Sequence, residues 1–342
     1  VLDFTDTESL SQSVPSSREI RLAPATIENA ITRIAEDFMR NCLPLFLLVS
    51  SLAASQPPVR GIAPTPDVAL AYEVYGAPSP ATPIIVVNGG PGFSHKYLLQ
   101  NDVFTGRLAH NRQVVLYDQR GDGESKLLRP NAPQDMNAQV ADLEAVRVKL
   151  GLNRFDLMGH SWGGLLAMAY ASAHPEHIEK FILVDSAAPA WKDTIYLFDK
   201  VFPDVAPMHW VGASQQRGQQ SAATDPLQGE HLAHFFDMLF YSEQNRAGFL
   251  AHIGDPGESK AVNQAVGESI STVDLTANLP HFNFPALIIT GRYDMNVAPL
   301  TAWKMYKAIP GAGIAILEKS GHLPFYEEPE RFSQIVNDFL SQ

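Results

Sequence analysis

The chain predicts an α/β architecture: a mostly parallel central sheet flanked by helices, with a helical segment inserted late in the sheet. Three observations carry this. From Val68 onward, short β-branched runs alternate with helical stretches. The residues with chemical interest fall at the carboxyl ends of those runs, where loops gather and ligands bind on such sheets. One stretch, from Ala187 to Phe284, has no clear strand and is rich in aromatic helical pieces such as HLAHFFDMLFYSEQNRAGFLAHI.

The elements follow in order. VALAYEVYG is a strand with mixed alternation, and PIIVVNGGPG is a β-branched run ending in a tight glycine turn. QVVLYDQRG is a third strand, and MNAQVADLEAVRVKLGL a helix that ends at a glycine. FDLMGHS is a strand that runs into the helical WGGLLAMAYASA. HIEKFILVDSA, PALIITGRYD and AGIAILEKSGH are three further short apolar strands. EEPERFSQIVNDFL closes the chain as a helix with Pro329 in its first turn. No internal repeat is visible.

Of the 342 residues, 45% are hydrophobic and 18% charged, which suits one large domain or a domain with an insertion. The net charge is −12 and no basic run is long enough to track a phosphate backbone, so nucleic acid is not an expected partner. Cys42 is the only cysteine, which excludes an intrachain disulfide and a cysteine-built zinc site. His231 and His234 form a close pair, but no His-Glu-x-x-His pattern occurs, so no metal is expected.

Residues 39–55 have the layout of a secretory signal peptide: Arg40, an apolar run from Cys42 to Leu52, then Ala53 and Ser55 before a cut at Gln56. The run is shorter than the roughly 20 residues needed to span a bilayer. A buried core helix in a cytoplasmic protein is the alternative, which Pro44 and the serines oppose. Residues 1–38 are then an upstream extension of uncertain status, although Ile27, Ile31, Ile34 and Phe38 share a helical face. Secretion, with no membrane attachment of the mature form, is the expectation.

GHSWGG (159–164) carries the chemistry. A serine hydroxyl is a poor nucleophile unless a base, an acid orienting that base, and donors for the oxyanion surround it. Gly-x-Ser-x-Gly places the serine, here Ser161, on a strained strand-to-helix turn where Gly159 and Gly163 make room. A strand precedes the motif and a helix follows it, as the motif requires. The partners should follow in the order acid, then histidine. Asp294 closes ALIITGRYD, 133 residues after Ser161, and His322 closes IAILEKSGH, 28 residues later. Asp185, at the end of FILVD, is the rival acid, and His160 and His281 are weaker candidates for the base. The residue after the nucleophile, Trp162, offers one oxyanion N–H. The glycine-rich NGGPG (88–92) offers the other, because Gly89 and Gly90 let backbone approach the substrate.

NGGPG, DQRGDGES (118–125), GHSWGG and SGH (320–322) together resemble an α/β-hydrolase of the proline iminopeptidase type, serine aminopeptidases with amino acid amidases as close relatives. The run DLTANLPHFNFPALIITGRYD also resembles that family's approach to its acid-bearing strand. The resemblance covers most of residues 65–342 outside the insertion. It implies an α/β-hydrolase fold with a helical cap, a triad of Ser161, Asp294 and His322, and oxyanion donors at Gly90 and Trp162. Asn88 departs from the pattern, standing where the family usually has histidine before Gly-Gly-Pro-Gly.

The implied domain plan is core at 56–186 and 285–342, with the cap at 187–284. Exopeptidases of this type resemble one another in binding the substrate's free amine with cap carboxylates, for which Glu243, Glu258 and Glu268 are the candidates. The expected activity is cleavage of a small amide or N-terminal peptide bond through an acyl-enzyme, with no cofactor and a small-molecule or short-peptide substrate. The alternative is an esterase, lactonase or biosynthetic hydrolase. Acidic side chains facing Ser161 favour the first and an all-apolar pocket the second.

Overall fold

A computed structural model describes residues 57–194, 236, 238–253 and 259–342, and every structural statement below concerns those residues. The extension, the signal-like segment 39–55, His231, His234 and Glu258 lie outside them.

The strands are β1 (Val59–Pro64), β2 (Val68–Tyr75), β3 (Ile84–Val87), β4 (Val114–Tyr117), β5 (Lys126–Leu127), β6 (Phe155–His160), β7 (Ile178–Val184), β8 (Ala286–Gly291) and β9 (Gly313–Leu317). They form one sheet in the order β1-β2-β4-β3-β6-β7-β8-β9, with the short β5 pairing to β2. β1 with β2 and β2 with β4 are antiparallel, and every pair from β4–β3 onward is parallel. The helices are α1 (Met136–Lys149), α2 (Trp162–Ala173), α3 (Glu243–His252), α4 (Lys260–Ile270), α5 (Pro299–Ala308), α6 (Pro324–Glu327) and α7 (Pro329–Leu340).

The runs IIVV and VVLY are apolar throughout because a central parallel strand is covered on both faces. Their alternate side chains feed two cores. Ile85, Val87, Val115 and Tyr117 pack with Leu143 and Val146 of α1, Leu165 and Met168 of α2, and Ala302 and Met305 of α5. Ile84, Val86, Val114 and Leu116 pack on the other face with Val103, Phe104, and Phe332, Val336 and Leu340 of α7. Helix starts are set by local chemistry. Asp135 caps α1 by accepting from the Ala138 N–H, and Ser242 and Ser259 cap α3 and α4 in the same way.

Between β7 and β8 the described residues hold α3, α4 and a 3₁₀ turn (Leu279–His281) but no strand, apart from an isolated bridge between Ala190 and Asp274. This is the inserted helical cap. It is tied to the loop after β9: the His322 N–H donates to the Leu239 carbonyl at 2.7 Å, and Glu327 accepts from the Gly321, Ser242 and Tyr241 N–H groups. No helix among the described residues is long and apolar enough to cross a membrane.

Candidate active site

Ser161 sits between the last residue of β6 and the first of α2, with φ 57° and ψ −126°. This is left-handed space that a non-glycine residue rarely occupies. Its neighbours explain why the turn needs glycine. A Cβ on Gly159 would run into Gly163 and Gly164, and one on Gly163 into the Val87 and Asn88 carbonyls of β3 and the loop after it. The turn is held by the Ser161 N–H donating to Val184, while the Ser161 carbonyl accepts from Gly164 and Ala187.

Asp294 and His322 meet beside it. His322 Nδ1 lies 2.8 Å from Asp294 Oδ2. The other carboxylate oxygen accepts from the Asn296 N–H at 2.9 Å and the Val297 N–H at 2.8 Å. With the acid taking the proton of Nδ1, Nε2 is left as a lone-pair acceptor. Asn296 Nδ2 stands 3.2 Å from that nitrogen. Ser161, His322 and Asn296 all line one pocket, with about 760 Å³ of empty space including its open mouth.

Gly90 and Trp162 line the same pocket. Trp162 is the first residue of α2, so its N–H has no intrahelical acceptor. The Gly90 N–H makes no backbone hydrogen bond among the described residues. Asn88 holds this loop. Its side-chain amide is buried and donates to the Gly89 carbonyl at 2.9 Å and the Phe93 carbonyl at 2.7 Å. The amide thus staples the turn at the position where the related pattern has histidine.

The weaker base candidates have other positions. His160 is buried. Its Nδ1 lies 2.6 Å from the Tyr97 hydroxyl, and its Nε2 lies 2.9 Å from the His322 carbonyl. Burial, then the neighbouring His322, depresses its pKa well below the usual histidine range. Tyr97 also accepts from the Gly89 N–H at 2.6 Å, so one chain links the NGGPG loop to the backbone of His322. His160 is therefore a neutral strut between two loops. His281 is exposed in the turn before β8 and lines no part of the pocket. Asp185 is buried behind Asp294 but does not hold His322 Nδ1, which takes Asp294.

Of the three amine-binding candidates, the two that are described do not line the pocket. Glu243 opens α3 and Glu268 lies on α4; both are exposed and neither lines the pocket. The described walls are Phe93, Trp191, Leu239, Phe249 and similar apolar groups, with Tyr97, His160, Thr194 and Asn296 as polar members beside Ser161 and His322, and no carboxylate.

Several residues with clear roles escape motif reading. Gln119 bridges the two candidate oxyanion elements: its Nε2 donates to the Asn88 carbonyl at 2.8 Å, and its Oε1 accepts from Trp162 Nε1 at 2.7 Å. In the same DQRG run, Asp118 accepts from the His95 ring and N–H, and Arg120 pairs with Asp142 of α1. The run itself was the available signal, since three polar residues directly after a buried strand must each find a partner.

The model of the alpha/beta hydrolase fold family matches residues 82–329, more than half of the chain. The chain belongs to the α/β-hydrolase family. Among curated relatives, a proline iminopeptidase from Lactobacillus delbrueckii subsp. bulgaricus is 29% identical over 285 residues, covering 78% of this chain and 92% of that protein. Among solved structures, the hydrolase is similar to a proline iminopeptidase of Mycobacterium smegmatis. That match has a TM-score of 0.63 and 23% identity, covering 83% of this chain and 98% of that one. It is also similar to an esterase of Exiguobacterium antarcticum, with a TM-score of 0.61 and 21% identity, covering 80% and 96%. Likeness at this level speaks to the fold, so substrate has to be argued from the site.

Proposed function

We propose that this hydrolase cleaves uncharged small-molecule esters or lactones through an acyl-enzyme on Ser161. The observation that carries the substrate class is the pocket wall: apolar side chains surround Ser161, and no carboxylate faces it among the described residues. A substrate ammonium buried there would meet no counter-charge among the described residues, at a cost of several kcal/mol. An apolar acyl group gains about 25 cal/mol for each Å² it buries.

Ser161 Oγ attacks the substrate carbonyl while His322 Nε2 takes its proton. Asp294 holds the imidazole tautomer and stabilises the imidazolium that forms. The N–H groups of Gly90 and Trp162 receive the oxyanion as its charge develops. His322 then protonates the leaving alkoxide, and water repeats the sequence to release the acid. Asn296 Nδ2 donates to Nε2 in the present arrangement, so the Ser161 hydroxyl takes its place as the reaction begins.

The curated proline iminopeptidase relatives support a second reading, an aminopeptidase or amidase. The two separate on three substrates with one acyl part: an aminoacyl arylamide with a free α-amine, its N-acetylated form, and the simple ester. The ester reading expects turnover of the ester and indifference to N-acetylation, all lost in Ser161→Ala. Turnover confined to the free-amine arylamide contradicts it and establishes aminopeptidase chemistry. The export reading of residues 39–55 belongs to the same proposal. Mass spectrometry of protein secreted from its full reading frame should find a chain starting at Gln56, and a retained 39–55 segment would refute it.

A further inference from the structure

The residue left over by the site is Asp185. It directly follows β7, next to the strand that leads to Asp294, and its own N–H is held by the Ile289 carbonyl of β8. It is 1% exposed, as is Asp294. It also has φ 40°, left-handed space unusual for aspartate and kept only when surrounding contacts over-determine it. Asp185 Oδ1 accepts from Thr290 Oγ1 and the Gly291 N–H, each at 2.9 Å. Its Oδ2 is buried without a donor. Ligand atoms of Asp185, Asp294 and His322 lie within 4.8 Å of one another.

Resting on the Ser161–His322–Asp294 reading above, we propose that Asp185 is a neutral carboxylic acid whose Oδ2–H donates to the Asp294 carboxylate. It acts as a positioning residue behind the base. Two buried carboxylates side by side repel unless a cation or a proton stands between them. The groups packed around Asp185 are Thr290 and Gly291 of β8, Asp294 of the loop after β8, and His322 of the loop after β9. Among the described residues, Asp294 is the charged side chain that bears on it, and no lysine or arginine does. A proton on Oδ2 removes the repulsion and gives the unpartnered oxygen a role as donor.

The proton belongs on Asp185 because both Asp294 oxygens already accept N–H bonds, three in all including that of His322, whereas Asp185 Oδ2 has none. Burial and the adjacent Asp294 charge both push the Asp185 carboxyl well above the ordinary carboxylate range. The consequence is a tuned base. A carboxylate that receives a further hydrogen bond is a weaker acceptor for the His322 Nδ1–H and stabilises an imidazolium less.

The test uses Asp185→Asn and Asp185→Ala with ester turnover followed across pH. Asparagine keeps an acceptor for Thr290 and Gly291 and an N–H donor for Asp294, so Asp185→Asn should hold kcat/KM within about threefold of wild type, with the same acid limb. Asp185→Ala should lose about tenfold or more in kcat, and its acid limb should move to higher pH. Infrared difference spectra of wild type minus Asp185→Asn at neutral pH should contain the C=O stretch of a protonated carboxylic acid. Loss of that band, or an Asp185→Asn enzyme as impaired as Asp185→Ala, overturns the proposal. If Asp185→Ala fails to fold, Asp185→Asn and the infrared band still decide. Full activity in Ser161→Ala would instead overturn the underlying reading, a result that none of these Asp185 measurements mimics.

Discussion

The floor and the roof of the pocket are built on opposite plans. The floor consists of Ser161, Trp162, the NGGPG loop and His322, at the carboxyl ends of β6, β3 and β9, with the polar groups pinned by named hydrogen bonds. The described roof consists of Phe236, Leu239, Phe249 and Ile253, apolar groups packed on one another and on Tyr326. Where charge develops during a reaction, positions have to be held to fractions of an ångström. Where a substrate's apolar part rests, area and shape suffice. On the proposed reading, the difference assigns chemistry to the floor and selection to the roof.

The largest expected effect breaks the floor. Ser161→Ala should lose about 10³-fold or more in kcat with KM little changed; a loss confined to KM would mean that Ser161 only binds. A change in the roof should act differently. Ile253→Asp places a carboxylate in the apolar wall and should lower kcat/KM for apolar esters by about tenfold, while amine-bearing substrates are spared. Equal losses on both kinds would mean that the wall does not select.

A smaller effect is expected at the joint between the two oxyanion elements. Gln119→Leu breaks the bridge from Asn88 to Trp162 and should lower kcat by about tenfold, with a Tm lowered by the two buried groups left unpaired, at about 1–3 kcal/mol; an unchanged kcat would show that the loop is held without it. Below the floor, burial alone would lower the His95 ring, but hydrogen bonds to Asp118 and Glu73 outweigh it and hold the pKa at about 9. A raised histidine contributes stability that is complete below its unfolded value of about 6.5 and is lost as pH rises through about 9. Wild-type Tm should therefore fall across that window more steeply than that of His95→Gln, and parallel curves would contradict the assignment. The smallest effect is none: Glu243→Ala and Glu268→Ala should leave kcat/KM for both substrate kinds unchanged.

The same contrast explains what the sequence revealed. Gly-x-Ser-x-Gly and the glycines of NGGPG are backbone requirements written into residue type, so the turn at Ser161 and the loop beside it were legible. Asp294 and His322 were legible because strand ends were, and parallel strands bring their carboxyl ends to one side. Roof positions carry no such constraint. Glu243 and Glu268 are carboxylates at helical positions, and nothing local says whether a helix turns them inward or to solvent. The strand VRGIAP was not read because Gly61 and Pro64 look like turn residues; both are tolerated at a sheet edge. Helix α5 also went unread. Gln119, Asn296 and Tyr97 act through partners far away in sequence, and only the folded chain brings those partners within reach.

The most direct measurement of the central claim is covalent trapping. A fluorophosphonate probe incubated with wild type, Ser161→Ala and His322→Ala, followed by peptide mass spectrometry, reads whether Ser161 is an activated nucleophile. The account predicts one modified peptide carrying the label on Ser161, absent in Ser161→Ala and strongly slowed in His322→Ala. A label on another residue, or labelling of Ser161 that persists at the wild-type rate without His322, would contradict it.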